Sequence, residues 1–202
     1  MSYTKLSKEV TKWLKDNSLP CYGKADDSPE VTKKRIDIWM IGVKHMLQHW
    51  LEEKRYSELI SCAHGGWYQD NIIFEPVAKH FVQHKLFDEL RFLCERGIRF
   101  SVEDMVYSLK SETEEKKPID IEAINNIDVK AYIEGTAYSQ VGEIAKYRKR
   151  ALEQIGRYLN YLEQIQAPES YVEIIKKIQN DVYDMTVKKS DLKQIKFRLP
   201  KD

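Results

Sequence analysis

Along the first fifteen residues the apolar side chains fall at Leu6, Val10, Trp13 and Leu14, the spacing of one buried helical stripe. The pattern predicts a helix from Thr4 to about Lys15. Asn17 to Pro29 holds Pro20, Gly23, Asp26, Asp27 and Pro29, and reads as a loop. Ser28-Pro29-Glu30 is a helix start: a capping hydroxyl, a proline at the first helical position, and a carboxylate at the positive end of the dipole. The helix that follows is expected to run to about Glu53. At about 100° per residue, Ile36, Trp39, Met40, Val43, Leu47, Trp50 and Leu51 share one broad face. Ile38 and Ile41 lie opposite, as in a helix sandwiched between neighbours.

Lys54–His64 predicts a partner helix with Tyr56, Leu59, Ile60 and Ala63 inward and Gly65-Gly66 as its stop. After a connection over Trp67–Asn71, the next helix begins near Pro76. Its partner spans Lys85–Arg96 and is closed by Gly97, and Ser101 with Asp104 resembles a capping box opening a further helix over Val102–Lys110. Ser111–Pro118 is charged and free of apolar residues, the expected linker between a hairpin region (1–110) and a second helical region (119–202) packed on it as one domain. Beyond it, Asp128 can cap a long stretch, softened at Gly135 and Gly142, that continues to Gln166. Its later half carries Ile144, Ala151, Leu152, Ile155, Tyr158, Leu159, Leu162 and Ile165 near a heptad seam. Ala167-Pro168-Glu169 turns the chain, and Val172, Ile175, Ile178 and Val182 answer at matching spacing. No segment sustains a period of two, so the expectation is an all-α fold: stacked antiparallel helical hairpins followed by a long C-terminal helical hairpin.

The chain also repeats itself. Lys44-His45-Met46-Leu47-Gln48-His49 returns as Lys79-His80-Phe81-Val82-Gln83-His84, and Lys54-Arg55-Tyr56-Ser57-Glu58-Leu59 returns as Lys85-Leu86-Phe87-Asp88-Glu89-Leu90. The two offsets differ by about one helical turn, so the first copy reads as the same unit with Trp50-Leu51-Glu52-Glu53 added. Two helices, a glycine stop and a period in the low thirties are similar in style to tetratricopeptide and pentatricopeptide repeats. The Trp…Leu-Gly…Tyr spacing of the former and the ankyrin Thr-Pro-Leu-His are both missing, so the resemblance implies stacked helices and no particular family.

Charge narrows the partners. The 33 basic and 32 acidic residues nearly cancel, and no strong net field points to nucleic acid, an anionic membrane or an acidic substrate. Lys5, Lys8, Glu9 and Lys12 interrupt the first segment as no signal peptide would, and no apolar run approaches the ~20 residues a bilayer span needs. Three cysteines are expected to be reduced thiols in a cytoplasmic protein.

The candidate chemistry is sparse. His45/His49 and His80/His84 are HxxxH pairs, each able to place two imidazoles on one helix face and so to chelate a metal. The helical count sets His45 and His49 opposite the Val43/Leu47/Trp50 face but His80 and His84 beside Val77 and Ile73, so the pairs are not expected to share an ion. No glutamate stands between them as in HExxH, and neither Gly-x-Ser-x-Gly nor a phosphate loop occurs. No cofactor is expected. His64-Gly-Gly-Trp67-Tyr68 is the most distinctive loop, with aromatic side chains of the kind found at binding hot spots. The sequence therefore favours a non-enzymatic protein-binding protein of the adaptor, inhibitor or toxin-neutralising kind, contacting its partner through Trp67, Tyr68, His45, His49 and the Asp26-Asp27 loop. Residues 144–182 offer a possible homodimer seam. The alternatives are a metal-dependent enzyme with a histidine-rich site, and a nucleic-acid accessory protein using the basic tail from Lys188 to Lys201, which carries six basic residues and one acid.

Overall fold

A computed structural model describes residues 2–21, 28–64, 70–112, 120–134 and 140–187. Every regular element among them is helical: α1 (Ser2–Asp16), α2 (Pro29–Glu52), α3 (Tyr56–Cys62), a π-turn (Asp70–Phe74) leading into α4 (Glu75–Gln83), α5 (Phe87–Glu112), α6 (Ile121–Asn126), α7 (Val129–Glu134), α8 (Gln140–Gln164) and α9 (Glu169–Tyr183). The described residues divide into two compact units, one up to Glu89 and one from Leu90 onward.

In the first unit α1 packs on α2 and α3, and α2 on α3. Leu6, Val10 and Leu14 are buried as the stripe predicts, and Ser28 caps α2 by accepting from the Val31 amide at 3.4 Å. The buried face of α2 is rotated from the predicted one. Trp39, Gly42, Val43, Met46, Leu47 and Trp50 are buried, whereas Ile36 is 46% exposed and Met40 and Leu51 are only half-buried. The cause is Gly42: a Cβ there would stand 2.9 Å from Val10 Cγ1, so α1 crosses α2 at this position and draws the core toward Met46. Ile41 is 57% exposed, so α2 is not sandwiched along its Ile38/Ile41 side.

The second echo, Lys54–Leu59 with Lys85–Leu90, marks the same local geometry in both copies. Lys54 and Lys85 both adopt φ 56°. In the first copy the amides of Lys54 and Arg55 donate to the carbonyls of Leu51 and Trp50, and in the second those of Lys85 and Leu86 donate to Val82 and Phe81. Each is a Schellman turn with a lysine where glycine is usual. Ser18, Gln166 and Met185 take the same left-handed position at the ends of α1, α8 and α9.

The expected glycine stop at Gly97 does not occur, and that at Gly65-Gly66 lies outside the described residues. Gly97 lies buried within α5, which continues unbroken to Glu112. The predicted break and fresh start at Ser101 are replaced by one helix. The Ser101 hydroxyl donates back to the Gly97 carbonyl at 2.8 Å and meets the Gln154 side-chain amide at 2.7 Å, so it serves packing rather than capping.

In the second unit α8 packs against α9, α6 and α7. Most of the predicted seam is buried within the chain, Ile144, Ala151, Ile155, Tyr158, Leu159 and Leu162 on α8 and Val172, Ile175, Ile178 and Val182 on α9, whereas Leu152 and Ile165 are only half-buried. Gly142 lets the Tyr132 ring of α7 lie directly on the α8 backbone, where a Cβ has no room. A second small core joins Ile124, Ile144 and Ala145, with Ile127, Val129, Val141 and Met185 against it. Within the described residues no helix is long and apolar enough to cross a membrane.

Candidate functional site

The two HxxxH pairs have different fates. His45 is exposed on α2 and its ring stacks on Trp13 of α1, centroids 4.6 Å apart and planes 26° from parallel. His49, one turn on, directs Nε2 to Glu53 Oε1 at 3.3 Å. The first pair is thus divided between two partners. His80 on α4 and His84 at its C-cap instead lie against each other, centroids 4.1 Å apart with the planes tilted by 34°. Burial and the neighbouring His84 hold His80 below the usual histidine range. His64 is buried against Phe74, centroids 5.7 Å apart. Among the described residues no group of three or more His, Cys, Asp and Glu side chains is placed to hold a metal.

The outward face of α2 carries exposed aliphatic side chains. Counting about 100° per residue, Val31, Lys34, Ile38, Ile41, His45 and His49 lie on one side, opposite Trp39, Met46 and Trp50. Val31 is 40% and Ile41 57% exposed, while the other members are exposed or half-buried. The outer face of α1 adds Lys5, Lys8, Lys12 and Lys15, all exposed and spaced three and four apart. This lysine stripe was not recognised in the sequence as a surface. The signal was its spacing, phased opposite to Leu6, Val10 and Leu14.

Beside this surface lies a charged knot spanning three helices and the turn between α2 and α3. Trp50, fully buried, donates its indole N–H to Glu9 Oε2 at 2.6 Å. The Arg55 guanidinium grips Glu9 through two N–H groups at 3.1 Å, donates to Glu58 at 2.9 and 3.0 Å, and lies 4.0 Å over the Trp50 ring. Lys5 adds a further bond to Glu58. Hydrogen bonding to Arg55 draws the Glu58 carboxyl down to about 2. At Glu9 burial opposes the downward shift, and the bonds from Arg55 and Trp50 prevail. Arg55 itself is raised, first by its bonds to Glu58. The Arg55 fork bonds to Glu9 and Glu58 together, so the knot fixes α1 to the start of α3.

Two charged side chains, Glu95 and Arg148, are buried among the described residues of the second unit. Glu95 on α5 is 3% exposed, with Arg91 Nε 3.7 Å away. Burial pushes its carboxyl up, and burial followed by the Glu95 charge pushes the Tyr171 phenol of α9 up. Arg148 on α8, 8% exposed, donates to Asn125 Oδ1 at 2.7 Å, the Tyr183 carbonyl at 3.1 Å and the Ile124 carbonyl at 3.5 Å. It places a cation at the negative ends of α6 and α9. Burial lowers its pKa. Cys62 and Cys94 are fully buried, and burial pushes the Cys94 thiol far up, so neither is poised as a nucleophile.

Trp67, Tyr68, Asp26 and Asp27, the central part of the Ser111–Pro118 linker, and the basic tail from Lys188 lie outside the described residues. No family model matches the chain, and no curated protein or solved structure matches it either.

Proposed function

We propose that this is a non-enzymatic protein-binding protein whose contact surface is the outward face of α2 with the lysine stripe of α1. The observation that carries the reading is Ile41, 57% exposed on a helix whose opposite face is fully packed, next to a Trp13–His45 stack. Large aliphatic and aromatic side chains held rigid at a surface are what interfaces desolvate. Lys8, Lys12, Lys15 and Lys34 around them call for a partner with an acidic rim and an apolar centre. His45 and His49 belong to this surface. Trp67, Tyr68, Asp26 and Asp27 are retained in it on their residue chemistry alone. A cytoplasmic setting fits three cysteines that remain free. The α8/α9 seam is spent within the chain, so a homodimer through 144–182 would use outer faces of those helices.

The test is affinity capture of a stoichiometric protein partner from the native source, followed by titration of the purified pair. Ile41→Glu is expected to weaken binding by more than about 100-fold, and Lys8→Glu with Lys12→Glu by about tenfold, mostly through slower association at low salt. Both variants should retain the wild-type helical spectrum. Unchanged affinity in Ile41→Glu removes the surface assignment. Tight, salt-sensitive binding to mixed-sequence DNA or RNA in place of a protein overturns the reading in favour of a nucleic-acid partner.

A further inference from the structure

We propose that His80 and His84 form a two-imidazole binding site for a divalent transition metal such as Ni2+, Zn2+ or Cu2+. The site is independent of the α2 surface. His80 stands in the last turn of α4 and His84 is the residue that caps its end, four positions on; the His84 amide donates to the His80 carbonyl at 3.0 Å, so the backbone that spaces the rings is itself bonded. Their centroids lie 4.1 Å apart with planes 34° from parallel. His80 is held from one side by Tyr56 and by its neighbour Phe81, each with centroids 6.3 Å away, whereas His84 is exposed and can turn. The site requires His84 to rotate so that one nitrogen of each ring meets a common ion.

The first HxxxH pair supplies the contrast within the same chain. His45 is committed to Trp13 and His49 to Glu53, so forming a chelate there breaks two existing contacts. At the second pair the two histidines already face each other. Two nitrogens leave the remaining coordination positions to water, and imidazole donors rank Cu2+ above Ni2+ and Zn2+.

The experiment titrates tag-free full-length protein with Ni2+ and then Cu2+ by calorimetry, and follows broadening of amide resonances under Cu2+. One equivalent is expected, with broadening centred on Lys79–Leu86. His84→Ala should lower the affinity by at least about tenfold, and His84→Gln should do the same. His49→Ala should leave it unchanged. Because His84 is exposed, neither variant endangers the fold, and His80→Ala with an unchanged helical spectrum gives the second ligand. Binding that survives His84→Ala, an equal loss in His49→Ala, or no binding by either metal overturns the proposal.

Discussion

After α2 the chain turns through Lys54 and places Arg55 on Glu9, Glu58 and Trp50; after α4 it turns through Lys85 and places Leu86, half-buried, at the same point. The backbones agree down to the pattern of amide donors, and the next helix buries Leu59 in one copy and Leu90 in the other. Counted back from these turns, Trp50 stands where Phe81 stands in the second copy, both fully buried, and only Trp50 has an indole N–H to hold the carboxylate that Arg55 grips. What repeats is therefore the geometry of helix, left-handed lysine and helix. What differs is the chemistry mounted on it: a partly buried ion cluster in one copy, a histidine pair with a leucine in the other. A short echo in sequence can thus be a shared solution for turning a chain, with no shared task.

The strongest way to break the contrast is to write one copy into the other. Arg55→Leu reproduces the Leu86 position and leaves Glu9 and Glu58 without their guanidinium. It is expected to cost about 2–3 kcal/mol of stability, measured by urea unfolding, because removing one partner strands the other charges at a partly buried site. Leu86→Arg should cost less than about 1 kcal/mol, since no carboxylate cluster is being dismantled. A loss in Arg55→Leu no larger than in Leu86→Arg would show the knot to be ornamental.

Acid gives a smaller effect in the same place. The folded pKa of Glu58, about 2, lies below its unfolded value near 4.5, so its contribution is complete above that value and fades as pH falls toward the folded one. Wild-type protein should lose about 1–2 kcal/mol between pH 5 and 2 from this group, allowing for solvent around a carboxylate that is 29% exposed. In Arg55→Leu that part of the acid slope should vanish.

The smallest expected effect tests the shared feature. Lys54→Gly and Lys85→Gly each relieve a non-glycine residue at φ 56° and should stabilise by about 0.5–1 kcal/mol. The two values should agree within error in thermal melts, because the turns are equivalent. A gain in one and a loss in the other would mean that a lysine side chain contributes there.

Much of this fold can be read from spacing. The start of α2 at Ser28-Pro29-Glu30 and the facing seams of α8 and α9 depend on neighbours within two turns, and periodicity reports them directly. The rotation of α2 does not, because it is set by the approach of Val10 to Gly42. Nor does the passage of α5 through Gly97: the rule that glycine ends helices fails where the missing side chain serves close packing and Ser101 bonds back along the helix. The candidate site was legible in the same measure. His45 and His49 stood out as a pair, but the Trp13 that claims His45 lies on another helix, and Glu9 meets Arg55 across 46 positions. Pairwise chemistry at such range leaves no periodic trace.

Arg148 has a consequence for motion. One guanidinium holds the closing carbonyls of both α6 and α9, so fraying at Ile124 and at Tyr183 draws on the same bonds and becomes a single event. Amide exchange at the two ends should rise and fall together, although they lie far apart along the chain.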